Sequence, residues 1–345
     1  MRILYLSCHE ILNYDEVKLL NELGHQVFSP GSYVCEDNKG DLNLRPGLVK
    51  YDEYDALMEE WHRLGQPGKD NKECLTPEFI KKFDAVIIMH LPLWIHTNWE
   101  AFKKAGVPVV WRTIGQSVSH NEAELAKYRA QGLKIIRYSP MERLVPGFIG
   151  EDVLIRFYKD PEEFKGWNGN IPELITFGQH MERREPATNF KWFDFVTKPF
   201  PRKLFGPGSE TLTYGMGKVP YSDLVKNMQD YRAYFYTGTW PASYTLNFIE
   251  AMMTGIPMVC IGPKKGHPHG WFKGHDLYEI PEIITNGVDG FWSDSEQDLR
   301  FYIQSLLQDH KLAQEISAKG RAKAIELFGK ETIKQQWNDF LKKVK

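Results

Sequence analysis

The chain has 345 residues, more than one hydrophobic core comfortably organises, so two domains are expected. With 42% hydrophobic and 26% charged residues it has an ordinary globular composition, and a formal net charge of -2 gives no global attraction to nucleic acid or an anionic membrane. No stretch approaches the ~20 apolar residues that span a bilayer. The four cysteines (Cys8, Cys35, Cys74, Cys260) form no C-x-x-C pair, which argues against a disulfide framework or a thiolate zinc site and for a reducing compartment.

The opening "MRILYLS" enters a strand-like run at once, without the longer apolar segment and small-residue cleavage site of an export signal, so a cytoplasmic location is expected. "RILYLS" reads as a buried strand, and "YDEVKLLNELG" after it has helical spacing at Val17, Leu20 and Leu23. Gly24 stops that helix, and "HQVFSP" returns to strand, which makes a βαβ start. The polar segment from Pro30 to Pro77, with a helical "YDALMEEWHRLG" inside it, reads as an insertion (about 31–77) over the sheet. The alternation then resumes with the strand "DAVIIMH", the helix "TNWEAFKKAG", the strand "VPVVWRT", the helix "NEAELAKYRAQG" and the strand "LKIIRYS". Residues 1–160 are therefore expected to form a doubly wound α/β domain.

"YKDPEEFKGWNGNIP" (158–172), rich in Pro, Gly and charge, is the expected linker. Beyond it the strands "ELITFG", "RKLFG", "YRAYFY" and "IPMVCIG" alternate with helical segments through a second α/β domain, 170–325. The tail from Ser295 is mostly helical with breaks near His310 and Gly329, and 326–345 is expected as a final helix packing back on the first domain. Tandem domains of this kind bind ligands beyond the carboxyl ends of their strands.

One residue stands out against this pattern. Glu250 interrupts an apolar run in "YTGTWPASYTLNFIEAMMTGIPMVC" (236–260), and a carboxylate there is costly to bury unless something pairs with it. A helix beginning near Tyr244 puts Leu246, Ile249 and Met253 on one face, with Glu250 beside that stripe. The helix start (Tyr244, Thr245, Leu246, Asn247) offers free N–H groups and a positive dipole end to a diphosphate, and a carboxylate about two turns further along suits ribose hydroxyls.

"LNFIEAMMTGIPMVC", followed by N-G-x-x-G at Asn286–Gly290, resembles the donor helix of the retaining glycosyltransferases of the GT-B fold, glycosyl transferases group 1 (family four). "LNELGHQV", "YKDPEEF", "GKVPYSDLVKNMQDYRAYFY" and "TNGVDGFWSDSEQDLRFYIQSLLQD" resemble other segments of that class in order and spacing. The resemblance implies two Rossmann-like domains facing across a cleft. It also implies a retaining, metal-independent, hexosyltransferase-type enzyme that moves a sugar from a nucleotide-diphosphate donor, UDP-sugar favoured, to an acceptor hydroxyl. No separate cofactor or metal is implied. The acceptor would be a glycan, a lipid-linked or a small molecule.

In that class the second Glu of E-x7-E, here Glu250, binds the ribose, while the first falls on Ala242. The G-R-x-x-x-x-K clamp on the diphosphate corresponds to "FGQHMERREP": Gly178, Gln179 in the Arg slot, and Arg184 in the Lys slot, with Arg183 beside it and Arg202 as a further candidate cation. The N-terminal-domain His of the class corresponds to Ile114 or Gly115. Arg112 and Gln116, leaving "VPVVWRT", are the catalytic candidates there beside Arg184. Ser117 and His120 in the same loop, with His9 and His90 just past strands, are candidates for acceptor or sugar contact, although strand-end histidines also cap turns.

"GHPHGWFKGH" holds His267, His269 and His275 but no carboxylate or Cys in tetrahedral register, so it reads as a lid or sugar contact and not a zinc site. Two alternatives remain open. A phage-type DNA-modifying glycosyltransferase would need a basic groove from "KKAG", "PRKLFG" and "PKKG". A degenerate sugar-nucleotide binder is suggested by Ala242 and Ile114.

Overall fold

The computed structural model describes residues 1–30, 50–65, 75–115, 117–263 and 277–344. The chain divides into two compact units, Met1–Phe157 with Ile333–Lys345, and Tyr158–Thr332. The Pro- and Gly-rich stretch 158–172 opens the second unit.

The first unit runs β1 (Arg2–Leu6), α1 (Glu10–Glu22), β2 (Gln26–Phe28), α2 (Tyr54–Arg63), α3 (Pro77–Ile80), β3 (Ala85–Met89), α4 (Pro92–Ala105), β4 (Val109–Arg112), α5 (Ser119–Arg129), β5 (Lys134–Arg137) and β6 (Val153–Leu154). Its strands pair in parallel in the order β2-β1-β3-β4-β5-β6. A parallel sheet needs helical crossovers that cover its faces, which is why β3, Ala-Val-Ile-Ile-Met, is apolar and buried at every position. The helix α2, expected as part of an insertion over the sheet, is seated in the same core. Its Tyr54 and Trp61 close on Phe28 at the end of β2, with ring centroids 5.3 and 6.2 Å away, and Phe79 and Phe83 complete the cluster. Each such side chain contributes about 1.5–3 kcal/mol by burial.

The second unit runs β7 (Ile171–Phe177), α6 (Phe190–Thr197), β8 (Arg202–Phe205), β9 (Gly215–Gly217), α7 (Tyr221–Asp230), β10 (Tyr231–Tyr236), α8 (Leu246–Thr254), β11 (Met258–Ile261), α9 (Ile280–Ile283), β12 (Phe291–Ser293), α10 (Glu296–Gln308) and α11 (His310–Phe328). Its strands are also parallel, in the order β12-β11-β10-β7-β8-β9. α12 (Lys330–Val344) follows, and its residues from Ile333 onward belong to the first unit, where Trp337 is fully buried. The helical tail breaks at Asp309 and Gly329. Asp309 ends α10 and caps α11, its carboxylate accepting the Leu312 N–H at 3.0 Å. The short edge strands β6, β9 and β12 carry no periodicity and are not foreseen in the sequence.

Candidate functional site

The carboxyl edge of the second sheet is built by close approach. Gly206, just past β8, has φ +124, and a Cβ on it would lie 2.3 Å from the Gly178 carbonyl oxygen just past β7. A Cβ on Gly178 would meet the Met181 sulfur at 2.4 Å, and one on Gly208 would meet the His180 ring at 2.6 Å. His180 itself adopts φ +48, and its N–H donates to the Pro207 carbonyl at 2.7 Å. Glycine is required here because two loops are pressed together with no room for side chains between them. A non-glycine residue held at positive φ in the same place is the kind of strain that accompanies function.

Against this edge sits the first turn of α8. The Asn247 side-chain amide donates to the Phe177 carbonyl at 2.5 Å, and the Tyr236 hydroxyl lies 3.1 Å from Thr245 Oγ1, so β7 and β10 both hold the helix start. The Thr245 hydroxyl also donates to the Asn247 side-chain oxygen. Burial pushes the Tyr236 hydroxyl well above the ordinary tyrosine range, so it stays a neutral donor. Thr245 occupies the N-cap position without capping, and no acid lies in the first turn. Among the described residues no acceptor meets the N–H groups of Leu246, Asn247 or Phe248. This leaves the positive end of the helix for an anion. Arg184, exposed on the turn after Gly178, reaches back with Nη1 3.3 Å from the Gln179 carbonyl oxygen, and Arg183 is exposed beside it.

Glu250 lies little more than one turn into α8, closer to the helix start than expected, and is 4% exposed. Its Oε1 lies 2.7 Å from Lys159 Nζ, and Lys159 is itself buried. This pairing explains how a carboxylate is tolerated in an apolar run. Nothing in the local sequence around Glu250 marks Lys159 as its partner.

Two expectations in this unit need correction. Tyr244 is not placed to meet a donor: it is 1% exposed, with its ring edge-on to Phe328 at 5.3 Å. Arg202 opens β8 at the opposite, amino end of the strand, where it binds the Asp194 carboxylate at 2.7 Å and the Thr197 hydroxyl at 2.6 Å. It is no alternative to Arg184.

The first unit brings His9 and His90 to one sheet edge, past the neighbouring strands β1 and β3. His9 is the N-cap of α1, its Nδ1 accepting the Leu12 N–H at 3.4 Å. His90 adopts φ +68, donates its N–H to the Arg112 carbonyl at 2.9 Å and accepts from Trp111 Nε1 at 3.0 Å. Both are half-buried. On the same two strand ends the Ser7 hydroxyl lies 3.2 Å from the Met89 sulfur.

Arg112 is a correction. It is fully buried, donates to Glu16 Oε1 at 2.9 and 2.7 Å and to the Ile155 carbonyl at 2.7 Å, and lies between the rings of Phe157 and Trp337. A saturated guanidinium of this kind holds the unit together and meets no substrate. Ser117 is likewise buried, donating to Glu142. Glu142 also accepts from Thr113 at 2.9 Å and from the Tyr138 N–H at 2.8 Å, while burial, opposed by Arg137, pushes its carboxyl up. His120 is exposed on α5 and pairs with Glu124 at 2.9 Å. Gln116 and the loop carrying His267, His269 and His275 lie outside the described residues. Among the described residues no helix is long and apolar enough to cross a membrane.

No family model and no curated protein matches the chain. Solved structures do. HepE of Anabaena, in complex with UDP and glucose, superposes with a TM-score of 0.70 at 14% identity over 99% of this chain and 100% of its own. Sucrose-phosphate synthase of Thermosynechococcus elongatus gives 0.69 at 12% identity over 100% and 99%. A glycosyltransferase of Rickettsia africae gives 0.71 at 14% identity over 99% and 98%. The chain has the GT-B fold, with two Rossmann-like domains.

Proposed function

We propose that this chain is a glycosyltransferase drawing its sugar from a UDP-sugar bound at the carboxyl edge of the second sheet. The observation that carries the reading is the first turn of α8: uncapped, free of acids, held to β7 and β10, and set beside the glycine-only contact of the β7 and β8 loops. The diphosphate takes the free N–H groups, Arg184 adds a cation, and the ribose hydroxyls donate to Glu250. HepE, which shares the fold, holds UDP and UDP-glucose in its complexes.

In the reaction the bond from the sugar's anomeric carbon to the diphosphate breaks. The acceptor oxygen forms its bond on the same face, and its proton passes to the departing phosphate. Retention follows from attack on the face the leaving group vacates. Stabilising the negative charge that grows on the diphosphate is the protein's main contribution, and the helix end and Arg184 supply it without a metal. The acceptor supplies a hydroxyl, from a glycan, a lipid-linked or a small molecule.

A second reading draws on Ala242 and Ile114, apolar and 9% and 7% exposed, which stand where the class it resembles has functional side chains. It keeps sugar-nucleotide binding and drops transfer. A thermal-shift screen against UDP, GDP, ADP, CMP and dTDP tests the site, since a ligand of the folded state raises the midpoint. A shift with UDP is expected, and no shift with any nucleotide contradicts the reading. Release of glucose from UDP-glucose into water separates the two readings, because only a transferase cleaves its donor.

A further inference from the structure

Lys159 is held more firmly than a lysine needs for solubility. Its N–H donates to the Phe328 carbonyl at 3.0 Å, it forms a parallel bridge with Gly329, and the neighbouring Asp160 pairs with Lys330 at 3.1 Å. Its side chain passes the Phe164 ring, with Nζ 5.5 Å from the centroid, and ends 2.7 Å from Glu250 Oε1. Exposure is 2% for Lys159 and 4% for Glu250.

Stability does not account for this pair. Burying two charges is costly, and apolar residues of similar volume usually serve a core as well or better. α8 is already anchored by Phe248, Ile249, Ala251, Met252 and Met253, each at most 1% exposed. The pair also sits on the helix whose first turn is open to an anion. Glu250 lies four positions after Leu246, about 6 Å along the axis, a distance suited to a ribose carried on its diphosphate.

We propose that Lys159 is a positioning residue for the nucleotide: it fixes the Glu250 carboxylate that accepts the ribose hydroxyls, so the choice of ribo- over 2′-deoxyribonucleotide depends on a residue the ligand never touches. This rests on the reading of the α8 edge as a UDP-sugar site.

Calorimetric titration of the full chain with UDP, 2′-deoxy-UDP and inorganic pyrophosphate tests it. The parent is expected to bind UDP at least about tenfold more tightly than 2′-deoxy-UDP, the worth of a charge-assisted hydrogen bond. Lys159→Met should bring the two within about twofold of each other while the pyrophosphate affinity stays put, because that ligand has no ribose to misplace. A folded Lys159→Met protein with the parental ratio overturns the proposal and leaves the pair a structural one. If Lys159→Met does not fold, Lys159→Gln keeps a polar group there without the charge. Its ratio should fall at least about threefold, and an unchanged ratio again overturns the proposal. A parent that binds UDP with no preference over 2′-deoxy-UDP overturns the positioning role alone. A parent that binds pyrophosphate but not UDP overturns the UDP-sugar reading as well.

Discussion

Each unit buries a cation against a glutamate, and the two pairs are built differently. In the first unit Arg112 spends its donors on Glu16 and on the carbonyls of Ile155 and Arg156, and two aromatic rings flank it. Glu16 in turn accepts from the Tyr5 hydroxyl. In the second unit Lys159 faces Glu250 from a point-charge ammonium, and Glu250 rides on a helix with an unsatisfied first turn. Arginine's fork ties several chain segments into one network, whereas lysine presents a compact point charge. On the proposed reading, burial of a charge marks a site only when the element carrying it leaves other polar groups open.

The largest expected effect breaks the first pair. Arg112→Met strands the buried Glu16 charge and the carbonyls it served, and should cost about 3–5 kcal/mol in the unfolding transition of that unit, read by denaturant titration. Adding Glu16→Leu should recover little, because the Ile155 and Arg156 carbonyls stay unmet. The corresponding double replacement, Lys159→Met with Glu250→Leu, should return to near-parental stability with UDP binding still weakened about tenfold or more. Equal recovery in the two double variants would erase the distinction between the pairs.

Gly206→Ala tests the packed edge from the other side. Its φ of +124 and the 2.3 Å approach to the Gly178 carbonyl leave no place for a methyl group. A loss of about 1–3 kcal/mol is expected, with weaker UDP binding as the loops part. Arg184→Ala, at an exposed position, should leave the midpoint within about 0.5 kcal/mol of the parent. Donor affinity and turnover should each fall about tenfold or more, as one charge-assisted contact requires.

The smallest effect concerns pH in the first unit. Because burial raises the Glu142 pKa, the folded state holds that proton more tightly than the unfolded one. The resulting stability is fully present below the ordinary glutamate value of 4.5 and is lost as pH rises through the raised value. Glu142→Gln removes the titration. The stability of the parent minus that of Glu142→Gln should therefore decline as pH rises through this window, and a flat difference contradicts it.

Much of the fold is legible because parallel strands buried on both faces read as unbroken apolar runs, as in "DAVIIMH" and "IPMVCIG". The edge strands β6, β9 and β12 escape because two or three residues carry no pattern, and Gly215 and Gly217 argue for a turn. The helix α8 is visible in the sequence through its Gly255-Ile256-Pro257 ending, but Lys159 is not. A buried partner from a distant segment leaves no local signal beside Glu250. Arg112 is misread as a catalytic residue for a related reason. A strand's last residue can face the open edge or turn back onto a neighbouring helix, and only the position of Glu16 on α1 decides which.

The most direct test is calorimetry of the parent and of Glu250→Gln, which keeps the side chain's shape while removing its charge. UDP is expected to bind at one site in the parent and about tenfold or more weakly in Glu250→Gln, with pyrophosphate binding equal in both. A parent that takes up no UDP, or a Glu250→Gln protein that binds it as tightly as the parent, would contradict the account.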